Sequence, residues 1–541
     1  MRFAFLLTGL LIAQDATIRV TTRLVQVNVV VRDSHGPVAG LAKKDFKIFD
    51  KGKDQPVALF SVSSSADQTP AKSAAVPLGV FTNRPAAESS APLNGTVLLI
   101  DVLNTDVSDQ QIARRQLLKF LTTLEPGRRV AIYILGTRLH VLQDFTSDPR
   151  LLAQAAQKFQ GQPSNPLGAS NMPLPGAPVT ATEEMNTGMT DNPAEAVARE
   201  ALAEMRDAAT VDRVSITLTA LEQIANHLAS VPGRKSLLWI SGSFPFFLID
   251  DERHNFLAAN RENRTFHLEI ERATRALSAA DTAIYPVDAR GLLSTPAADG
   301  TQHDNGFTNP RGRAFGTRKN GQIGVMQVDT PEGLESMQAL AAGTGGRAFY
   351  NTNDIKGAIG RAIADADLTY TLGFYADSSA VDGFHEIKVK VDRPGLDIRY
   401  RKGYLAASIK APTGDDVASL LHDAVASALD SSTIGLIAVI DNTRIALHVN
   451  FADLRLEKQN DKWSGAIDVA YVSQSADGRS IALTSKKVTL DLNDDLYAAK
   501  RRDGLVLEQI VERPKGTARI RIAVLDERSG VTGAVSIALA K

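Results

Sequence analysis

The run TVLLI at 96–100 ends abruptly in Asp101, Val102, Leu103, Asn104, Thr105 and Asp106. A strand that is apolar at every position is buried on both faces, as in a parallel sheet covered by helices. Polar residues just past its carboxyl end lie where open α/β sheets bind ligands. The following sequence repeats the theme. Ala113, Leu117, Leu121 and Leu124 mark one face of a helix that Ser108 and Gln111 open as a capping box and Pro126-Gly127 ends. RRVAIYILG and LHVLQDF read as strands, DPRLLAQAAQKF and VSITLTALEQIANHLASV as helices, and KSLLWISG as another buried strand. HLEIERATRALSAAD then reads as a helix leading into the strand TAIYPVDARG. This alternation predicts an α/β fold with a doubly wound, mostly parallel sheet.

The flanks follow a different period. From residue 18 to 62 apolar and polar residues alternate, with turn chemistry at 34–37 and at Asp50-Lys51-Gly52-Lys53, which predicts antiparallel strands of a β-sandwich part. Residues 63–94 are rich in Ser, Ala and Pro with few large apolar side chains, and read as a linker. After the α/β unit at 96–368, with a helix at ESMQALAAG, a last sheet strand at GRAFY and a helix at NDIKGAIGRAIADAD, alternation resumes. Strands at 370–405 are expected to return to the N-terminal β part. Residues 411–541 open with an amphipathic helix and continue as strands separated by Asp477-Gly478 and Ser529-Gly530, the pattern of an immunoglobulin-like sandwich.

Composition narrows the chemistry. Among 541 residues there is no cysteine, which excludes disulfides, thiolate metal sites and cysteine nucleophiles. A net charge of -1 argues against nucleic acid as a partner. Arg2 ahead of the apolar stretch 3–13, with the small residues Ala13 and Ala16, has the layout of a signal peptide over 1–16. The expected location is therefore secreted or periplasmic. No later stretch is long and apolar enough for a transmembrane segment.

The strand ending in Asp101-Val-Leu-Asn104-Thr105 and the strand ending in Trp239-Ile-Ser241-Gly242-Ser243, in this order of elements, resemble a von Willebrand factor type A domain. With VNVVVRDSHGPVAGLAKKDFKIFDKGKDQPV before it, IYPVDARGL within it, and YTLGFY and VDRPGLDIRYRKGYLA after it, the chain is similar to the VWFA-related Acidobacterial domain family over roughly residues 18 to 405. The resemblance implies a metal-ion-dependent adhesion site, in which Asp-x-Ser-x-Ser, a loop Thr and a later Asp surround Mg²⁺. Asp101 matches its first acid and Thr105 its last hydroxyl. Leu103 stands where the middle Ser belongs, Ser241 stands in place of the later Asp, and 161–166 does not match the Thr loop. A hard cation loses affinity with each missing carboxylate, so any Mg²⁺ or Ca²⁺ held by Asp101 and Thr105 is expected to be weak. Without metal, Asp101 would cap backbone N–H groups at the start of the first helix.

Asp101, Asn104, Thr105, Ser241 and Ser243 are accordingly the candidate ligand-binding polar residues, joined by Phe246 and Phe247 of the FPFF cluster. The last two belong to one of three insertions, at 161–195, 244–263 and 291–330, which the fold implied by the resemblance places on one rim. The third insertion carries Arg311, Arg313, Arg318 and Lys319. Long loops inside a compact domain are usually functional or disordered, and an apolar patch with a basic border suits a protein, glycan or envelope partner. Ser241-Gly242-Ser243 lacks the G-x-S-x-G pattern of a nucleophile elbow, and the histidines show no H-E-x-x-H. Asp288 closes a strand either as a turn residue or as a ligand-facing acid. The sequence thus favours a non-enzymatic binding or scaffold protein. The alternative is a cation-assisted hydrolase using Asp101 and Asp288.

Overall fold

The computed structural model describes residues 23–64, 77, 79–84, 95–125, 127–170, 193–242, 267–291, 334–376, 383–406 and 411–539. At its centre is a five-stranded sheet in the order Thr282–Asp288, Lys235–Ser241, Gly95–Asp101, Arg129–Leu135, Leu139–Thr146. The first three pairings are parallel and the last is antiparallel. Successive side chains of a strand point to opposite faces. Leu99, Leu237, Trp239 and Ile284 therefore share one core with Val214, Leu218 and Leu221 of the Pro193–Leu228 helix and with Leu277 and Leu340. Leu98, Leu238, Ile240 and Val287 share the other with Leu117 of Val107–Leu121, Leu152 of Pro149–Lys158 and Ile359 of Ile355–Asp365. Helices thus cover both faces, which explains why Gly95–Asp101, Lys235–Ser241 and Thr282–Asp288 are buried along their whole length.

Three local expectations change. The first central helix starts at Val107 with Asp106 at its N-cap position, so Ser108 lies inside its first turn and opens no capping box. GRAFY forms no full strand: Phe349 alone bridges Val287 in parallel. The stretch 63–94, read as a linker for want of apolar residues, contributes the strand Val80–Thr82, whose Phe81 packs against the core of the C-terminal β unit.

All described strand pairings outside the central sheet are antiparallel. Arg23–Asp33 lies beside Leu368–Ala376, and Phe46–Asp50 beside Gly383–Val391, so the strands that follow the central unit close around one core with those that precede it. The C-terminal β unit, residues 434–539, carries a second such core, on which Ala424 of the Gly414–Ala426 helix packs against Ala523 and Ala534.

Polar contacts join the units. Asp365, at the end of the Ile355–Asp365 helix and 1 % exposed, accepts from Arg32 at 3.0 Å and from Arg399 of the N-terminal β unit. Burial pushes its carboxyl above the ordinary range, against the pull of Arg399 and Arg32. Nearby, Asn28 donates to Asp281 at 2.7 Å. On the other side, Ser432 donates its N–H to the Asn226 carbonyl and its hydroxyl to the His227 carbonyl, each at 2.9 Å, groups that the end of the Pro193–Leu228 helix leaves without a partner in the helix.

Two outcomes are expected. Asp365→Ala takes the carboxylate from Arg32 and leaves Arg399 with Asp397 alone, and should lower the stability measured by urea unfolding by about 3 kcal/mol. Lys235 is 2 % exposed and donates to the Val231 carbonyl at 2.7 Å; burial pushes its ammonium from 10.5 down to about 8, with Asp281 opposing. The folded chain then binds fewer protons than the unfolded chain between pH 8 and 10.5, so stability rises with pH across that window. Unfolding curves of wild type and Lys235→Met at several pH values should diverge there by up to about 3 kcal/mol.

Candidate functional site

Asp101 is the last residue of its strand and is 0 % exposed. A buried carboxylate needs hydrogen-bond donors on its lone pairs, or it takes up a proton. Four donors meet it. The Asn104 backbone N–H donates to Oδ1 at 2.9 Å, while Asn104 Nδ2, Trp239 Nε1 and Ser241 Oγ each donate to Oδ2 at 2.9 Å. Trp239 and Ser241 are two positions apart on the neighbouring strand, so both face the side to which Asp101 turns. Burial still pushes the Asp101 carboxyl upward, and the contacts from Asn104, Trp239 and Ser241 oppose that push.

Asn104 extends the network across to a helix. Its second Nδ2 hydrogen goes to Thr217 Oγ1 at 2.9 Å, and its Oδ1 accepts from Arg213 Nε at 2.9 Å. Arg213 and Thr217 stand four residues apart on the Pro193–Leu228 helix, one turn along the same face, and the Thr217 hydroxyl donates to the Arg213 carbonyl at 2.7 Å. Arg213 is 3 % exposed. Burial pushes its pKa down and the charges of Asp101 and Asp106 push it up, so a cation is held near the buried anion with the Asn104 amide between them. Close by, the Thr105 hydroxyl accepts the Gly242 N–H at 2.8 Å and ties the first loop to the end of the Trp239 strand.

The candidate residues Asp101, Asn104, Thr105 and Ser241 therefore meet in one place, but they face inward, at 0, 1, 2 and 0 % exposure. They form a closed hydrogen-bonded cluster and no open ligand surface. The cluster also decides the fit of a cation. Asp101 is wholly buried, with three donors on Oδ2 and one on Oδ1; Ser241 spends its proton on Asp101, and Thr105 spends a lone pair on Gly242. With Leu103 at 1 % exposure packed into the core, the residues present do not suit Mg²⁺ or Ca²⁺. Asp101 accepts one backbone N–H, that of Asn104, two residues before the N-cap position Asp106, so it holds the turn ahead of the first helix and does not cap the helix itself.

Asp288 pairs across the sheet with Ser241 and is 2 % exposed. Its carboxylate is forked by Arg290, whose Nε lies 2.9 Å from Oδ1 and whose Nη2 lies 2.7 Å from Oδ2; the Arg290 N–H adds a further bond at 3.0 Å. Ser243, Phe246 and Phe247 lie outside the described residues, as do His254 and most of the three insertions. The described ends of those insertions reach the same rim: 161–164 through Gln162, which exchanges bonds of 2.9 Å with Gln110, and Ser164, which donates to the Leu103 carbonyl at 2.7 Å. The second and third leave from Gly242 and Gly291, at the carboxyl ends of their strands.

Trp239, Arg213 and Thr217 were not singled out from the sequence, though two signals were present. An indole N–H in a wholly buried strand requires an acceptor. An Arg and a Thr four apart, flanking the buried Val214 and Leu218 on one helix face, require partners inside the core. Asn104→Ala, which removes the amide linking Asp101, Thr217 and Arg213, should cost about 3 kcal/mol in a urea titration. Millimolar Mg²⁺ should leave the melting temperature of the wild type unchanged, since a ligand that binds only the folded state would raise it.

Neither a protein-family model nor a curated protein matches this sequence. Among solved structures, the chain is similar to an aerotolerance-related membrane protein from Bacteroides fragilis at 13% identity, covering 50% of this chain and 98% of that one with a TM-score of 0.24. It is similar to a von Willebrand factor type A protein from Catenulispora acidiphila at 8% identity over 70% and 84% of the two chains, TM-score 0.25. For the VWA domain of SpRpn10 the figures are 12% identity, 36% and 74%, and 0.15. Scores of this size carry no correspondence between individual residues.

Proposed function

We propose that this is a non-enzymatic binding or scaffold protein, secreted or periplasmic, whose central unit acts as a von Willebrand A-type module. It recognises a protein or envelope component through the loops at the carboxyl-end rim of its sheet, without a metal ion. The observation that carries this reading is the state of the two acids at that rim. Asp101 is occupied by four donors of its own chain and Asp288 by the Arg290 fork. A general base or nucleophile needs an open lone pair within reach of substrate, and a metal ligand needs one within reach of the cation. Both acids instead brace the rim, which leaves contact with a partner to the insertions. The same state of the two acids weighs against the hydrolase alternative, which would need Asp101 and Asp288 open to substrate. No helix among the described residues is long and apolar enough to cross a membrane.

The test is capture of partners from an envelope extract by the full chain, with and without EDTA. The expected result is an identical set of partners in both arms. Phe246→Ser combined with Phe247→Ser should weaken capture at least about tenfold while leaving the melting temperature in place, as truncation of aromatic anchors at an interface does. Loss of the partner on adding EDTA would overturn the metal-free reading. A collapse of the melting temperature in the double variant would place the rings in the core and remove the rim as the contact surface.

A further inference from the structure

The strand Val80–Thr82 is foreign to the unit it completes. It lies in sequence between the N-terminal β unit and the central sheet, yet it pairs antiparallel with the edge strand Leu436–Asp441, matching Thr82 to Ile437, Phe81 to Ala438 and Val80 to Val439. The Gly79 carbonyl accepts from the Ile440 N–H at 3.0 Å, and the Asn83 N–H reaches the Leu436 carbonyl at 3.3 Å. A ladder of three pairs is too short to hold a strand by itself. What holds this one is its side chains.

Phe81, half-buried, packs its ring against the core of the C-terminal unit. Asn83 uses its whole amide: Oδ1 accepts the Leu436 N–H at 2.8 Å, and Nδ2 donates to the carbonyls of Ser431 and Ile434 at 2.6 and 2.8 Å. Arg84 donates from Nε to the Ser432 carbonyl at 3.1 Å and from Nη2 to the Thr433 carbonyl at 3.1 Å and to Asp453 Oδ2 at 2.7 Å. The same Asp453 oxygen accepts the Gly435 N–H at 2.8 Å, which orients the carboxylate toward the guanidinium. Gly435 makes room for it: a Cβ there would lie 2.7 Å from Arg84 Nη1. The acceptor is thus a shaped groove with an apolar pocket, a ring of backbone groups that reads one amide, and a carboxylate that reads one guanidinium. An extended segment docked on a sheet edge, with its backbone in the ladder and alternate side chains in pockets, is the geometry by which proteins bind peptides.

We propose that the edge of Leu436–Asp441, with Gly435 and Asp453, is a peptide-binding site for an extended segment of the pattern aromatic–x–Asn–Arg. Residues 80–84 fill it within one chain, and the same segment of a second copy fills it in trans, so that copies are linked by strand exchange. The occupant is specified by the groove, because the second copy carries the one sequence whose aromatic, amide and guanidinium are already matched to it. Its connection to the groove runs through the entire central unit, so no tight hairpin obliges it to dock on its own chain.

The test uses two full-length variants. In the first, Phe81→Asp, Asn83→Ala and Arg84→Ala disable the strand and leave the groove. In the second, Gly435→Val closes the guanidinium cradle and leaves the strand. Mixed, they should form a one-to-one complex by light scattering that neither forms alone. A fluorescent peptide with the sequence of residues 79–85 should bind the first variant and displace the second from it, and peptides with Asn→Ala or Arg→Ala should bind about tenfold more weakly. A first variant that melts cooperatively yet takes up neither the peptide nor its companion would overturn the proposal. Should the first variant not fold alone, recovery of a cooperative melt on adding the wild-type peptide supports the groove, and failure to recover overturns it.

Discussion

The buried carboxylate of Asp101 is the constraint on which the centre of the molecule depends. An unpaired charge in that position would be costly, so the surroundings are built as donors: an indole N–H and a hydroxyl from the neighbouring strand, and a backbone and a side-chain amide from the loop that follows. Each donor is itself fixed. Trp239 and Ser241 are held in a strand buried along its whole length, and Asn104 is held between Thr217 and Arg213 of a helix on the same face. One acid thereby ties two strands, one loop and one helix together at the edge of the sheet where the chain has to leave it three times.

That arrangement changes what the edge is for. An acid with free lone pairs at the end of a parallel strand can take a cation or a proton from a ligand. The same acid, wholly buried and met by four donors of its own chain, serves as a brace, and so does Asp288 under the Arg290 fork.

Beyond the centre, the units are joined by polar contacts of a similar kind. Asp365 stands between Arg32 and Arg399, Ser432 takes two carbonyls at a helix end with its N–H and its hydroxyl, and Asn83 and Arg84 thread a piece of distant chain into the C-terminal unit. Hydrogen-bonded and ionic joints demand geometry as well as proximity, so they select one mutual placement of surfaces that apolar packing would leave freer to slide. The Val80–Thr82 strand goes further than the others, since it makes one unit's sheet incomplete without another region of the sequence.

Local sequence determined the elements of this protein. Short apolar runs such as VLLI and LLWI, bounded by turn and cap residues, read as strands covered on both sides, and the helical spacing of Ala113, Leu117 and Leu121 between strands calls for helices that cover them. Both signals are short-range and periodic, so they survive without knowledge of any contact. The sequence also brought Asp101, Asn104, Thr105 and Ser241 together as one group, because each ends or follows a strand at the same edge. Only the tertiary structure decided which way they face and what they meet. Arg213 and Thr217 lie more than a hundred positions from Asn104, at separations of 109 and 113, and no periodicity reports a partner at that distance. For the same reason 63–94 read as a linker: VFTNR carries too little apolar surface to form a core, and it becomes a strand because the groove of residues 431–453 supplies the acceptors, the pocket and the carboxylate that it lacks alone.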